Sequence, residues 1–172
     1  TSMSLQYLLN TSKNDIHSTF FSLDMGMPIV YAKMIQKLTG VNFKEVLRVF
    51  KDDPKKAAAL TQQLKELYRN VGFNFRSGLT VPDMKQTILE QEQQRGEKVK
   101  LVVIDYLECI AGPYSDQTAN TGFIANQLKD LANDLNTCIL LLLQTQKHST
   151  PDVSDPLLSL KRSEEHTSEL QS

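Results

Sequence analysis

The chain has 172 residues, 40% of them hydrophobic and 23% charged, which is the make-up of one globular domain of ordinary size. With 19 Lys and Arg against 20 Asp and Glu the formal net charge is −1, so an overall basic excess that coats nucleic acid by charge alone is excluded. The longest apolar run, Cys138 to Leu143, is far shorter than the roughly 18–20 residues of a membrane-spanning helix. Cys109 and Cys138 are the only cysteines, too few for a disulfide framework, so a soluble chain in a reducing compartment is expected.

Thr1-Ser2-Met3-Ser4 runs directly into apolar Leu5, Leu8 and Leu9, a helical spacing that begins without an upstream loop. His17 to Leu23 is a β-branched and aromatic run suited to a buried strand ending at Asp24. Pro28 then opens a helix with Ile29, Ala32, Ile35 and Leu38 on one face and Gly40 as its stop. Asn42 caps a second helix carrying Phe43, Val46, Leu47 and Phe50. After Asp52-Asp53-Pro54, a third helix over Lys55 to Val71 aligns Leu60, Leu64, Leu67 and Val71, and Gly72 breaks it. Phe73-Asn74-Phe75 alternates like a short strand, and Thr80 with Asp83 has capping-box spacing for a helix from Val81 to about Gln94. Lys100 to Ile104 is the clearest core strand, with Asp105 at its end. A turn-rich loop, 111–120, leads to a helix with Phe123, Ile124, Leu128, Leu131 and Leu135, and Cys138 to Leu143 forms the last strand. Continuous apolar strands separated by helices imply an α/β fold, a mainly parallel sheet flanked by helices on both faces. Residues 162–172 have one aliphatic residue and no period; they resemble the translation of a sequencing-library adapter and are set apart, with no function placed on His166. Without them residues 1–161 carry a net +1.

Polar residues stand where three apolar runs stop: Asp24 after Phe20 to Leu23, Asp105 after Leu101 to Ile104, and Gln144 after Leu141 to Leu143. In an open α/β sheet the carboxyl ends of parallel strands line the ligand crevice, so these side chains are expected to converge on one ligand. A carboxylate there suits a hydrated Mg²⁺ on phosphates, a second carboxylate can orient an attacking water, and an amide can bond a phosphate oxygen. Taken singly, each Asp serves equally well as a turn or cap residue; the three together favour a site. Met25, Met27 and Met34 read as helix packing, and Lys55, Lys56, Lys65 and Arg69 as one solvated helix face. His17 lacks partners at metal-ligand spacing, and Cys109 lacks a His or Asp to activate it.

The run Phe20-Phe21-Ser22-Leu23-Asp24-Met25 resembles the Phe-Ser-Leu-Glu-Met segment of hexameric DnaB-type replicative helicases, and Leu101 to Leu107 resembles their Walker B strand. Leu128 to Asn136, followed by an apolar strand and Gln144, is similar to that family's helix, Asn, strand and Gln. The resemblance spans about residues 1–161 and implies a partial RecA-like P-loop NTPase core, cut at both ends, that binds ATP and Mg²⁺. It implies that Asp105 holds Mg²⁺ through water, that Asp24 takes the place of the catalytic Glu, and that Gln144 senses phosphate. Thr1 would be the last residue of the phosphate loop and a further Mg²⁺ and nucleotide contact. Also implied are a cytoplasmic homo-hexameric ring on single-stranded DNA, of a bacterial cell or a phage-infected host, with no membrane partner.

Two departures stand out. The Gly-rich loop and its Lys are absent from the chain, so the fragment alone is expected to hydrolyse no ATP, and Asp24 is one methylene shorter than the family's Glu. In the resembling family DNA is met by loops after the Walker B and sensor strands, here about 111–120 and 145–161; Lys147, His148 and Lys161 are the candidate cations, with Gly112, Pro113 and Tyr114 shaping the first loop. The family's arginine finger would lie beyond Lys161. The alternatives are a RecA-like recombination or regulatory ATPase without unwinding, or a catalytically degenerate nucleotide-binding subunit. The long helical stretch between Asp24 and Phe73 leans toward the helicase.

Overall fold

A computed structural model describes residues 2–143. Helix α1 (Ser2–Lys13) leads to strand β1 (Ser18–Ser22), then come α2 (Met27–Thr39), α3 (Phe43–Asp52) and α4 (Pro54–Leu67) in succession. Strand β2 (Val71–Asn74), α5 (Val81–Arg95), β3 (Leu101–Asp105), a single turn at Leu107–Cys109, α6 (Gln117–Leu135) and β4 (Cys138–Leu141) complete the described chain. The strands form one sheet in the order β2-β1-β3-β4, and every pairing is parallel.

Side-chain alternation along the strands divides the apolar residues between two cores. Phe20 and Val103 face α1 to α4, among Leu5, Leu8, Val30, Met34, Val46 and Leu64. Phe21, Val102 and Ile104 face α5 and α6, among Met84, Ile88, Ile124, Leu128 and Leu131. Both faces of β1 are therefore dry, and all five of its residues are buried, the polar Ser18, Thr19 and Ser22 included.

Local chemistry sets the element ends. The Thr80 hydroxyl accepts from the Asp83 N–H and the Asp83 carboxylate accepts from the Thr80 N–H, the expected capping box with Asp in place of Glu. Gly40 and Gly96 close α2 and α5 at φ +70° and +72°, left-handed backbone that favours glycine. The structure corrects several expected boundaries. Helix α4 ends at Leu67 with Tyr68 as its cap, so Val71 and Gly72 belong to β2 rather than to the helix and its break. Helix α6 starts at Gln117, because the Asp116 carboxylate accepts the Ala119 N–H at 2.7 Å and caps it, which shortens the expected loop to 111–116. The buried face of α2 is Val30, Ala32, Met34 and Ile35, with Ile29 42% exposed; of the methionine group, Met34 is packed and Met27 stands out to solvent. Among the described residues no helix is long and apolar enough to cross a membrane.

Candidate functional site

The chain leaves β1 for β2 through α2 to α4 on one face, and leaves β3 for β4 through α6 on the other. The two neighbouring central strands thus send their connections in opposite directions. Their departing loops part at the carboxyl edge, and this switch point is where open α/β sheets form a ligand crevice.

Both sequence-designated acids are at that point. In the β1/β3 register Ser22 lies opposite Asp105, and the Leu23 N–H donates to the Asp105 carbonyl at 2.9 Å, which brings Asp24 one residue past the last rung of the ladder. The Ser22 hydroxyl donates to the Met25 carbonyl at 2.7 Å and ties the turn that carries Asp24. Lys33 of α2 donates to the Met25 sulfur at 3.2 Å from the far side of the turn. Asp24 is exposed and Asp105 only 5% exposed, so the two carboxylates have opposite surroundings. The Asp105–Tyr106 peptide is cis.

Tyr106, inside the Leu101 to Leu107 run, joins this edge as a residue with no role evident from the sequence. Its hydroxyl donates to the Cys109 sulfur, and that bond, with the electrostatics of Cys109 and then of the Asp24 carboxylate, pushes the phenol up to about 12. It stays a neutral donor at any physiological pH.

Strand β4 runs to the same edge: the Leu142 N–H donates to the Ile104 carbonyl at 3.0 Å, and the Leu107 N–H to the Leu142 carbonyl at 3.0 Å. Gln144, Thr1, Lys147, His148 and Lys161 lie outside the described residues. His17, which the sequence kept structural, bonds Glu97 at 2.9 Å, and Cys109 and Cys138 are free thiols.

The donor set fits a hydrated hard cation shared with phosphates. Mg²⁺ keeps several waters and takes one or two protein carboxylates beside phosphate oxygens, and a buried carboxylate at a sheet end is such a donor. Among the described residues no group of three or more His, Cys, Asp or Glu side chains is gathered for an all-protein metal cage.

Comparisons with known proteins bear on the fold and the family. No curated protein matches the chain in sequence. The solved "ATPase Domain of G40P" superposes with a TM-score of 0.72 at 21% identity, over 85% of this chain and 53% of that one. The structure titled "The Structure Of A DnaB-Like Replicative Helicase And Its Interactions With Primase" superposes with a TM-score of 0.71 at 22% identity, over 86% of this chain and 36% of that one. The chain thus spans about half, or less, of the length of these neighbours, and at such identity the likeness establishes the RecA-like α/β fold. The sequence profile of the DnaB-like helicase C terminal domain matches residues 1–164, so the carboxyl-rim acids lie in a chain that belongs to the DnaB-like helicase C-terminal domain family.

Proposed function

We propose that the chain is the ATP-hydrolysing motor domain of a replicative DNA helicase, acting as one subunit of a homo-hexameric ring that moves along single-stranded DNA and unwinds the duplex. The observation that supports this reading is that Asp105 ends β3 while Asp24 stands on the turn just past the neighbouring β1, both at the switch point of the sheet. In it Asp105, buried and fixed by the β3 ladder, holds Mg²⁺ through water, and the exposed Asp24 orients the attacking water and draws off its proton. Mg²⁺, when bound with ATP, neutralises charge that builds on the phosphate oxygens. Thr1 adds a hydroxyl to the metal and nucleotide, Gln144 hydrogen-bonds the terminal phosphate, and Lys147, His148 and Lys161 follow the DNA backbone.

Separate surroundings suit separate roles. A carboxylate held inside the sheet end keeps a fixed position for the cation, whereas one on an exposed turn can reach a water that changes place during the reaction. In the full-length protein Asp24→Asn is expected to lower DNA-stimulated ATP hydrolysis by about 100-fold or more while nucleotide affinity stays within about threefold. Steady-state hydrolysis and nucleotide titration read the two quantities. Hydrolysis that survives Asp24→Asn would reduce Asp24 to a turn residue and remove the main support for the motor.

A further inference from the structure

The loop 111–116, between the turn after β3 and α6, is tied at both ends. The Ala111 N–H donates to the Leu79 carbonyl at 2.9 Å, and the Tyr114 N–H donates to Asn120 Oδ1 at 3.3 Å. Asn120 lies in the first turns of α6, where side chains lean back toward the helix N-terminus, so its amide lies over Gly112. Any Cβ at residue 112 would collide with that amide. The loop so held sets the Tyr114 and Phe123 rings perpendicular, with centroids 5.4 Å apart and planes at 85°, and 51% of Tyr114 stays exposed.

Charge decides what such a ring can hold. No Lys, Arg or His occurs between Lys100 and Lys129, and the charged side chains near the loop in sequence, Glu108 and Asp116, are exposed acids. The two exposed acids disfavour a phosphate against the loop, whereas they leave the π-face of a base free to stack. We propose that Asn120 is a positioning residue that holds Tyr114 as an uncharged stacking platform for one unpaired base of a bound single strand. The proposal rests on the single-strand reading above and deepens it: strand binding divides into a salt-sensitive part carried by cations elsewhere and a salt-insensitive part carried by this ring.

The test uses the full-length protein, single-stranded oligonucleotides bearing 5-iodouracil, mass-spectrometric location of photocrosslinks, and fluorescence anisotropy over a range of salt. Tyr114 is expected to crosslink. Tyr114→Ala is expected to bind about tenfold more weakly with an unchanged slope of log Kd against log salt. Asn120→Ala is expected to lose the crosslink and several-fold of affinity, yet to add nothing in the Tyr114→Ala background. Asn120→Asp, which keeps the Oδ1 acceptor, restores the crosslink, and Gly112→Ala, which displaces the amide from the loop side, reproduces Asn120→Ala. A loss on Asn120→Ala of the same size with and without Tyr114 would mark a merely structural role and overturn the proposal. An unaltered affinity in Tyr114→Ala, or a changed salt slope, overturns it while leaving the single-strand reading intact. Failure of the unsubstituted protein to bind single strands overturns both.

Discussion

Gly72 on β2 has no side chain, and the Gln91 amide from α5 occupies the space that a Cβ would take. The same amide oxygen accepts from the hydroxyl of Thr19 at 2.6 Å, and Thr19 is fully buried on β1. Gly72→Ala therefore acts through a polar contact rather than through backbone freedom: it moves the amide and leaves a buried hydroxyl without its acceptor. The expected loss is about 1–3 kcal/mol, read as a lower urea midpoint at an unchanged m-value. The loss should shrink in a Thr19→Val background, where there is no hydroxyl to strand. None of this is visible in the order of residues, in which Gly72 looked like a helix breaker. Asp24 is the opposite case, since an acid directly after an apolar run announces itself.

Helix α5 shows how an element can be legible at its ends and silent about its neighbours. Its capping box was readable because Thr80 and Asp83 satisfy each other's backbone N–H groups within one turn. Hydrogen bonds from the Thr80 hydroxyl and N–H hold the Asp83 carboxyl below its ordinary value of 3.8. A depressed folded value means that the cap's contribution is complete above the unfolded pKa and is lost as pH falls through the folded one. The melting temperature should therefore fall below about pH 4 less steeply in Asp83→Asn than in the unsubstituted protein. The slope that remains in the variant includes Asp15, whose carboxyl the Arg69 guanidinium and Asn70 amide also hold low. Helix α2 was harder to read: its apolar residues cover more than one stripe, and the packing of α3 and α4 beside it chose Val30 and Met34 over Ile29.

At the scale of the molecule, one parallel sheet is shared by two cores that have no helix in common. Met34 at 1% exposure belongs to the core of α1 to α4, and Ile88 at 0% to that of α5 and α6. Because Phe20 and Phe21 carry adjacent residues of β1 into opposite cores, neither layer can come apart without baring the sheet. Met34→Ala and Ile88→Ala should each cost about 2–5 kcal/mol and leave a single unfolding transition whose midpoint agrees by circular dichroism and tyrosine fluorescence. Two separated transitions would show that the layers fold independently. The same sheet places the acids: a strand order that reverses direction between β1 and β3 opens one crevice, and both carboxylates lie at its edge.

Alternation of apolar strands with amphipathic helices was enough to specify the parallel α/β class, because a strand buried on both faces needs covering helices and a crossover connection. Asp24 and Asp105 stood out in the chain for the same reason, as polar residues where a dry strand stops. Their meeting did not. Residues 24 and 105 become neighbours because β3 inserts beside β1 while β2 goes to the other side, and strand order follows from long-range packing that no local spacing encodes. The clasp of Asn120 on Gly112 and the lodging of Gln91 over Gly72 arise the same way, since a space left by an absent Cβ acquires meaning only once another element is packed against it.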